Sequence, residues 1–184
     1  METKDLKPRK VVILGSTGSI GTSALKVARD IPDYMEIVGL AAGSQGEALG
    51  EQAREFGVKH LSIADETQRE TVLSSAPSGS EVHVGEQGLR ELACLPEADM
   101  VLISIVGTAG LQPALDAIAA GKDLAVASKE ILVMAGEIVM SAAAEAGVNV
   151  LPVDSEHNAI FQCLEGNPAG PDAVRRLLLT ASGG

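Results

Sequence analysis

Aromatic side chains are nearly missing from this 184-residue chain, which has no Trp and only Tyr34, Phe56 and Phe161. Positive charge is also short: 14 Lys and Arg face 25 Asp and Glu, for a formal charge of -11. With neither a stacking platform nor a basic footprint for phosphates, nucleic acid is excluded as a partner. No apolar run reaches the roughly 18 residues that span a bilayer, and no basic amphipathic face can be drawn. Met1 to Lys10 lack the apolar centre of a signal peptide, so the chain reads as cytoplasmic. Two cysteines far apart, Cys94 and Cys163, make neither a disulfide framework nor a metal-ligand pair, and read as buried free thiols.

What is present is the composition of a soluble globular protein, 46% hydrophobic and 21% charged. The length suits one substantial domain, or one domain and part of another. Short apolar runs alternate with stretches of helical spacing. The strands are expected at Val11–Leu14, Glu36–Leu40, Leu61–Ala64, Glu81–Gly85, Met100–Val106 and Leu124–Ala127. The helices are expected at Ser19–Arg29, Gln45–Phe56, Asp65–Ser74, Leu111–Ala120 and Ile131–Ala146, the last closed by Gly147 as a left-handed C-cap. Strands apolar on both faces and separated by helices imply a parallel sheet covered on both sides, whose ligands bind at the carboxyl ends of its strands. From Asn149 onward the pattern changes to strand, helix and a strand at Arg175–Thr180. The chain then stops at Ala181-Ser182-Gly183-Gly184, where a functional loop would begin, and so reads as a fragment.

Gly15-Ser16-Thr17-Gly18-Ser19-Ile20-Gly21 follows the first strand and enters the first helix. That is the context of a dinucleotide-binding turn: glycine admits a pyrophosphate to the backbone, and a helix N-terminus offers free N–H groups and a positive dipole end. A purely structural βα turn has the same pattern. The second strand ends in Gly39-Leu40-Ala41-Ala42-Gly43-Ser44-Gln45, with no carboxylate before Glu47. NAD-specific folds place an acid there for the ribose 2′-hydroxyl, so NADPH is favoured, with Gly43, Ser44 and Gln45 facing its 2′-phosphate.

Leu151-Pro152-Val153-Asp154-Ser155-Glu156-His157-Asn158 sets two carboxylates two residues apart after an apolar run. In an extended segment Asp154 and Glu156 share one side, which suits a hard divalent cation, while Ser155 and His157 point away. Asp and Ser before a helix are equally ordinary N-caps. Lys129 would stabilise negative charge developing on oxygen if it lay near such an ion, or else it is a solvated lysine opening a helix. His60 and His83 have no acidic neighbours in sequence and receive no role.

Three motifs, Gly15–Gly21, Ala127-Ser128-Lys129-Glu130 and Leu151–Asn158, occur in the order found in the 1-deoxy-D-xylulose 5-phosphate reductoisomerases, which the chain resembles over nearly its whole length. Thr180–Gly184 looks like a fourth. The resemblance implies a Rossmann-like, doubly wound, mostly parallel α/β sheet over residues 1–150, then the start of a second, α+β catalytic domain over 151–184. It also implies an enzyme that uses NADPH and Mg2+, Mn2+ or Co2+ to rearrange and reduce a sugar phosphate to 2-C-methyl-D-erythritol 4-phosphate, as a homodimer when full length. Carried over by residue, Thr17, Gly18, Ser19, Ile20, Gly43, Ser44, Gln45, Ser128 and Glu130 are cofactor contacts, and Asp154 and Glu156 are two of three carboxylate metal ligands. Lys129, Asp154 and Glu156 are catalytic, and Lys129, Ser155, Glu156 and Ser182 meet substrate, Ser182 at its phosphate. Position 128 is Ser where the family has Asn, and 44 and 45 are Ser-Gln where Lys-Asn or Ser-Asn is usual. Another NADPH-dependent reductase, or a non-catalytic nucleotide-binding module, would share the glycine turn but need no metal.

Overall fold

The structure is a computed structural model and describes residues 7–165 and 173–178. Seven strands form one sheet: β1 (Arg9–Leu14), β2 (Met35–Ala42), β3 (His60–Ile63), β4 (Glu81–Val84), β5 (Met100–Ile103), β6 (Asp123–Val126) and β7 (Val150–Pro152). The helices are α1 (Ser19–Asp30), α2 (Gly46–Phe56), α3 (Arg69–Ser75), α4 (Gly85–Ala93), α5 (Leu111–Ala119), α6 (Lys129–Ala146) and α7 (Ser155–Leu164). Every described ladder is parallel, in the order β4-β3-β2-β1-β5-β6-β7. This is the doubly wound dinucleotide-fold order with one extra strand, β4, at its edge.

The winding follows from alternation along β1. Val11 and Ile13 face α1, α2 and α3 through Leu25, Ala28, Leu49, Ala53 and Val72. Val12 and Leu14 face α4, α5 and α6 through Leu92, Ala114, Ile118, Ile131 and Val139. Both faces are therefore dry, and all four β1 side chains are 3% exposed or less. Burying a Val, Leu or Ile side chain contributes about 1.5–3 kcal/mol, so the β1 run alone makes this strand the natural centre of the sheet.

Three elements differ from the expectation. α4 was not foreseen in the Gly85-Glu86-Gln87-Gly88 stretch, because glycine-rich sequence with few apolar residues carries little helical signal. The fifth strand stops at Ile103 rather than Val106, since Val106 is 89% exposed. Of the strand expected at Arg175–Thr180, the described residues 174–178 form no regular element and Thr180 lies outside the described residues. A strand exists only by pairing. Residues Arg176, Leu177 and Leu178 instead line a cavity with Glu156, Ala159, Ile160 and Cys163 on α7.

Candidate functional site

The order β2-β1-β5-β6-β7 puts every motif among the described residues on the same carboxyl edge of the sheet. Along that edge come the Gly43–Gln45 loop, the glycine turn, the loop after β5, the Ser128–Glu130 turn and the Asp154–Glu156 turn. From β1 to β7 there are three strand spacings, roughly 14 Å.

At the turn, Gly15 has φ 95°, and a Cβ there would lie 2.8 Å from Ser104 O. A Cβ on Gly21 would lie 2.3 Å from Gly15 O, so α1 can seat against the turn only with glycine at that position. The N–H groups of Gly15 and Ser16 both donate to Ala41 O, at 2.9 and 2.8 Å. Gly18 is the N-cap of α1, with no side-chain cap, and the first turn holds no acidic residue. The N–H groups of that turn are left for an anion, and the helix dipole favours one there. Thr17 is half-buried at the turn, while Gly18, Ser19 and Ile20 are exposed.

Gly43, Ser44 and Gln45 are exposed, and Gln45 is the N-cap of α2. Asp65 N–H donates to Gly43 O at 2.9 Å, which brings a carboxylate beside the loop that the sequence order of β2 did not reveal. Its Oδ1 accepts from the Thr67 N–H at 3.0 Å and the Thr67 hydroxyl at 2.6 Å. A cleft opens between the two loops, walled by Gly15, Gly18, Ala42, Gly43, Ser104 and Val106. Ser104 was missed because the apolar run after Met100 reads as strand through Val106. Its hydroxyl donates to Leu14 O at 2.7 Å and ties the β5 loop to the turn.

Ser128 is buried, and its hydroxyl donates to Gly107 O at 3.2 Å and Glu130 Oε2 at 3.1 Å. Lys129 and Glu130 open α6 and are exposed. Within α6, Ala135 departs from helical geometry at φ -138° and ψ 25°, so this first turn is offset from the remainder of the helix.

Asp154 and Glu156 do come close, but not by the alternation of a strand. β7 ends at Pro152, and Asp154 is the N-cap of α7, with its Oδ1 accepting from the His157 N–H at 2.9 Å. Ser155 and Glu156 open the helix. Because the chain turns there, His157 folds back toward Asp154 instead of pointing away, and its Nδ1 stands 2.8 Å from the carboxylate. Burial opposes the charge on Asp154, yet the His157 backbone N–H and ring outweigh it and hold the carboxyl below its ordinary range. Glu156 is held below its range by the Ser155 hydroxyl at 2.8 Å, its own N–H and the charge of Lys129, against burial and the charge of Asp154. Of the two carboxylates, it is Glu156 that feels the Lys129 charge. Asn158 was also missed: its side chain donates to Pro152 O at 2.7 Å and braces the Pro152–Asp154 bend.

Both carboxylates are therefore ionised at neutral pH, and two hard oxygen donors suit Mg2+ or Mn2+. Among the described residues no cluster of three or more His, Cys, Asp or Glu could hold a metal ion. Ser182 lies outside the described residues. The other histidines do have acidic neighbours, brought by the fold rather than by sequence: His60 lies between Glu81 and Glu97, at 3.3 and 3.2 Å, and His83 is 2.8 Å from Glu91. The thiols are free but not buried, Cys94 being half-buried and Cys163 exposed on α7. No helix among the described residues is long and apolar enough to cross a membrane.

Comparison with known proteins agrees with the geometry. The sequence profile described as 1-deoxy-D-xylulose 5-phosphate reductoisomerase matches residues 11–136, and that of the C-terminal domain of the same family matches residues 150–184. The 1-deoxy-D-xylulose 5-phosphate reductoisomerase of Symbiobacterium thermophilum is 52% identical over 179 residues, 95% of this chain and 46% of the relative. The Zymomonas mobilis reductoisomerase, solved with NADPH, superposes with TM-score 0.80 at 40% identity, over 85% of this chain and 41% of that one. A reductoisomerase solved with NADPH, fosmidomycin and magnesium gives 0.80 at 39% identity, over 86% and 39%. The chain thus spans less than half the length of these relatives. With the order of motifs along one sheet edge and both family profiles in agreement, the chain belongs to the 1-deoxy-D-xylulose 5-phosphate reductoisomerase family.

Proposed function

We propose that this chain carries the cofactor site and part of the metal and substrate site of an NADPH- and divalent-metal-dependent reductoisomerase. The reaction converts 1-deoxy-D-xylulose 5-phosphate to 2-C-methyl-D-erythritol 4-phosphate, an isoprenoid precursor. One observation carries the reading: the glycine turn and the Asp154–Glu156 pair lie on the same carboxyl edge, three strands apart, with Ser128–Glu130 between them. In this reading residues 1–150 hold NADPH and 151–184 begin the metal- and substrate-binding part. In this reading the full-length enzyme works in the cytoplasm as a homodimer, a location with which its bacterial relatives are consistent.

Thr17 to Ile20 receive the pyrophosphate on the unspent N–H groups of α1. Gly43, Ser44 and Gln45 receive the 2′-phosphate, and Ser128 with Glu130 bounds the nicotinamide end. Asp154 and Glu156 would hold the divalent ion, which supplies Lewis acidity toward the carbonyl and hydroxyl oxygens of an α-hydroxy ketone. NADPH supplies the hydride. Lys129 neutralises negative charge that grows on substrate oxygen, and Ser155 orients the substrate. Ser182 takes its phosphate. His157 keeps Asp154 oriented and charged, as the partner of a metal-ligating group does.

The test is a chimera in which this chain is joined to the C-terminal part of the Symbiobacterium relative. It should oxidise NADPH only when given 1-deoxy-D-xylulose 5-phosphate and Mg2+ or Mn2+. Asp154→Asn and Glu156→Gln should each lower turnover by about 10³-fold or more with NADPH affinity kept within a factor of two, since the carboxylates act on substrate and not on the dinucleotide. Turnover that survives exhaustive chelation would refute the metal assignment.

A further inference from the structure

The glycine turn and the Gly43–Gln45 loop belong to different βα units, yet one dinucleotide must touch both. On the β2 side, the described hydrogen bonds of Gly15 and Ser16 all run to the segment that carries the loop. Two are backbone bonds, from the Gly15 and Ser16 N–H groups to Ala41 O at the end of β2. The third comes from a side chain: Gln52 on α2 donates through Nε2 to Ser16 O at 3.2 Å. Gln52 lies six positions after Gly46, roughly 9 Å down the helix whose N-terminus adjoins Ser44 and Gln45.

The polar accounting at this contact is unusual. Ser16 is fully buried, and both its Oγ and Gln52 Oε1 are buried with no hydrogen-bond partner. Leu49 and Ala53, flanking Gln52 on the helix, are also fully buried. A Met at 52 would remove the unpartnered Oε1 but would also take the donor from Ser16 O, so the amide gains one hydrogen bond and leaves one oxygen unmet, and its net contribution to stability is small. What the amide adds is a fixed offset between α2 and the turn.

We propose that Gln52 is a positioning residue that couples the two halves of the dinucleotide site, holding the pyrophosphate turn in register with the 2′-phosphate loop. This rests on the NADPH assignment above. Gln52 touches no ligand. Its effect is confined to molecules that engage turn and loop together.

Three ligands separate the possibilities, each titrated by calorimetry or NMR into the chain and its Gln52→Met variant. NADPH spans both halves, adenosine 2′-monophosphate reaches only the loop, and inorganic pyrophosphate reaches only the turn. The expected result is an about tenfold weaker NADPH with both half-ligands within twofold of the unmodified chain, the loss typical of one partly buried hydrogen bond. If NADPH changes less than twofold, or if all three ligands weaken in parallel as they would for a general loosening of the scaffold, the proposal is wrong. Should Gln52→Met fail to fold, Gln52→Asn carries the same test, since it keeps the amide but is one methylene too short to reach Ser16 O. Failure of the unmodified chain to bind NADPH would instead overturn the functional reading on which this rests.

Discussion

At the scale of single residues, what could be read in advance was set by backbone demand. Gly15 and Gly21 were legible because a glycine at those two places answers a local steric requirement, and the contacts at 2.8 and 2.3 Å bear that out. Side chains whose partners come from distant sequence were not legible. Ser104 and Gln52 carry no motif and Asn158 only closes one, and each acts by a hydrogen bond to a backbone carbonyl, two of them far away in the chain. His157 was misjudged because its direction depends on whether residue 154 is the last of a strand or the cap of a helix. For the proposed cofactor choice the residue to test is Ser44, exposed at the head of α2. Ser44→Asp would set a carboxylate against the 2′-phosphate, a repulsion of about 1–4 kcal/mol at contact distance, while leaving the 2′-hydroxyl of NADH unopposed. NADPH affinity should fall about tenfold or more relative to NADH in parallel titrations. Equal loss for both cofactors would show that the loop does not face the 2′-phosphate.

At the scale of elements, periodicity located β1 and β5 because both faces of the sheet are dry there and Val11–Leu14 and Met100–Ile103 are apolar without interruption, while Ser62 in β3 and Glu81 and His83 in β4 break the pattern. It failed where an element owes its existence to tertiary packing. α4 buries Leu92 and Ala93 beneath the sheet but shows few apolar residues along its length, whereas β7, three residues long and half-exposed, falls where a strand was expected after Asn149. β7 is held at its entry by a partly buried carboxylate: Asp123 accepts the Asn149 N–H at 2.7 Å and its side-chain amide at 3.1 Å, and also pairs with Arg9. Burial raises the Asp123 carboxyl, but the Asn149 N–H and Arg9 overcome this and leave it below its ordinary range. A carboxylate depressed on folding stabilises the fold above its unfolded pKa of about 3.9 and loses that contribution as pH falls through the folded value. Asp123→Ala should therefore cost about 1.5–3 kcal/mol at pH 7, by urea unfolding, with the difference from the unmodified chain shrinking below about pH 4. A deficit that stays constant down to pH 3 would assign the loss to packing instead.

At the scale of the whole molecule, the sheet order turns a linear series of motifs into one surface. Sequence gave their order along the chain, but only the crossover from β4 back to β5 beside β1 makes the glycine turn and the later motifs neighbours. The resulting edge is unequal in what it offers its ligands. The turn, the loop and the cleft between them all lie on a sheet that is continuous from β4 to β7, so the turn and loop proposed to hold the cofactor are both among the described residues. The proposed metal site is leaner, because Asp154 and Glu156 are two carboxylates where a hard cation takes about six oxygen ligands. A loosely held ion leaves substrate outside productive geometry, and an open edge does not exclude water from it. The 184-residue chain should accordingly bind NADPH, seen as quenching or calorimetric heat, yet give no more than trace NADPH oxidation with 1-deoxy-D-xylulose 5-phosphate and Mg2+ or Mn2+. Saturating Mn2+ should not restore it, since the deficit lies in ligand geometry and enclosure rather than in occupancy alone. Steady turnover by the unextended chain would mean that Asp154, Glu156 and Lys129 suffice for the chemistry, and that the remaining length of the relatives serves some other end.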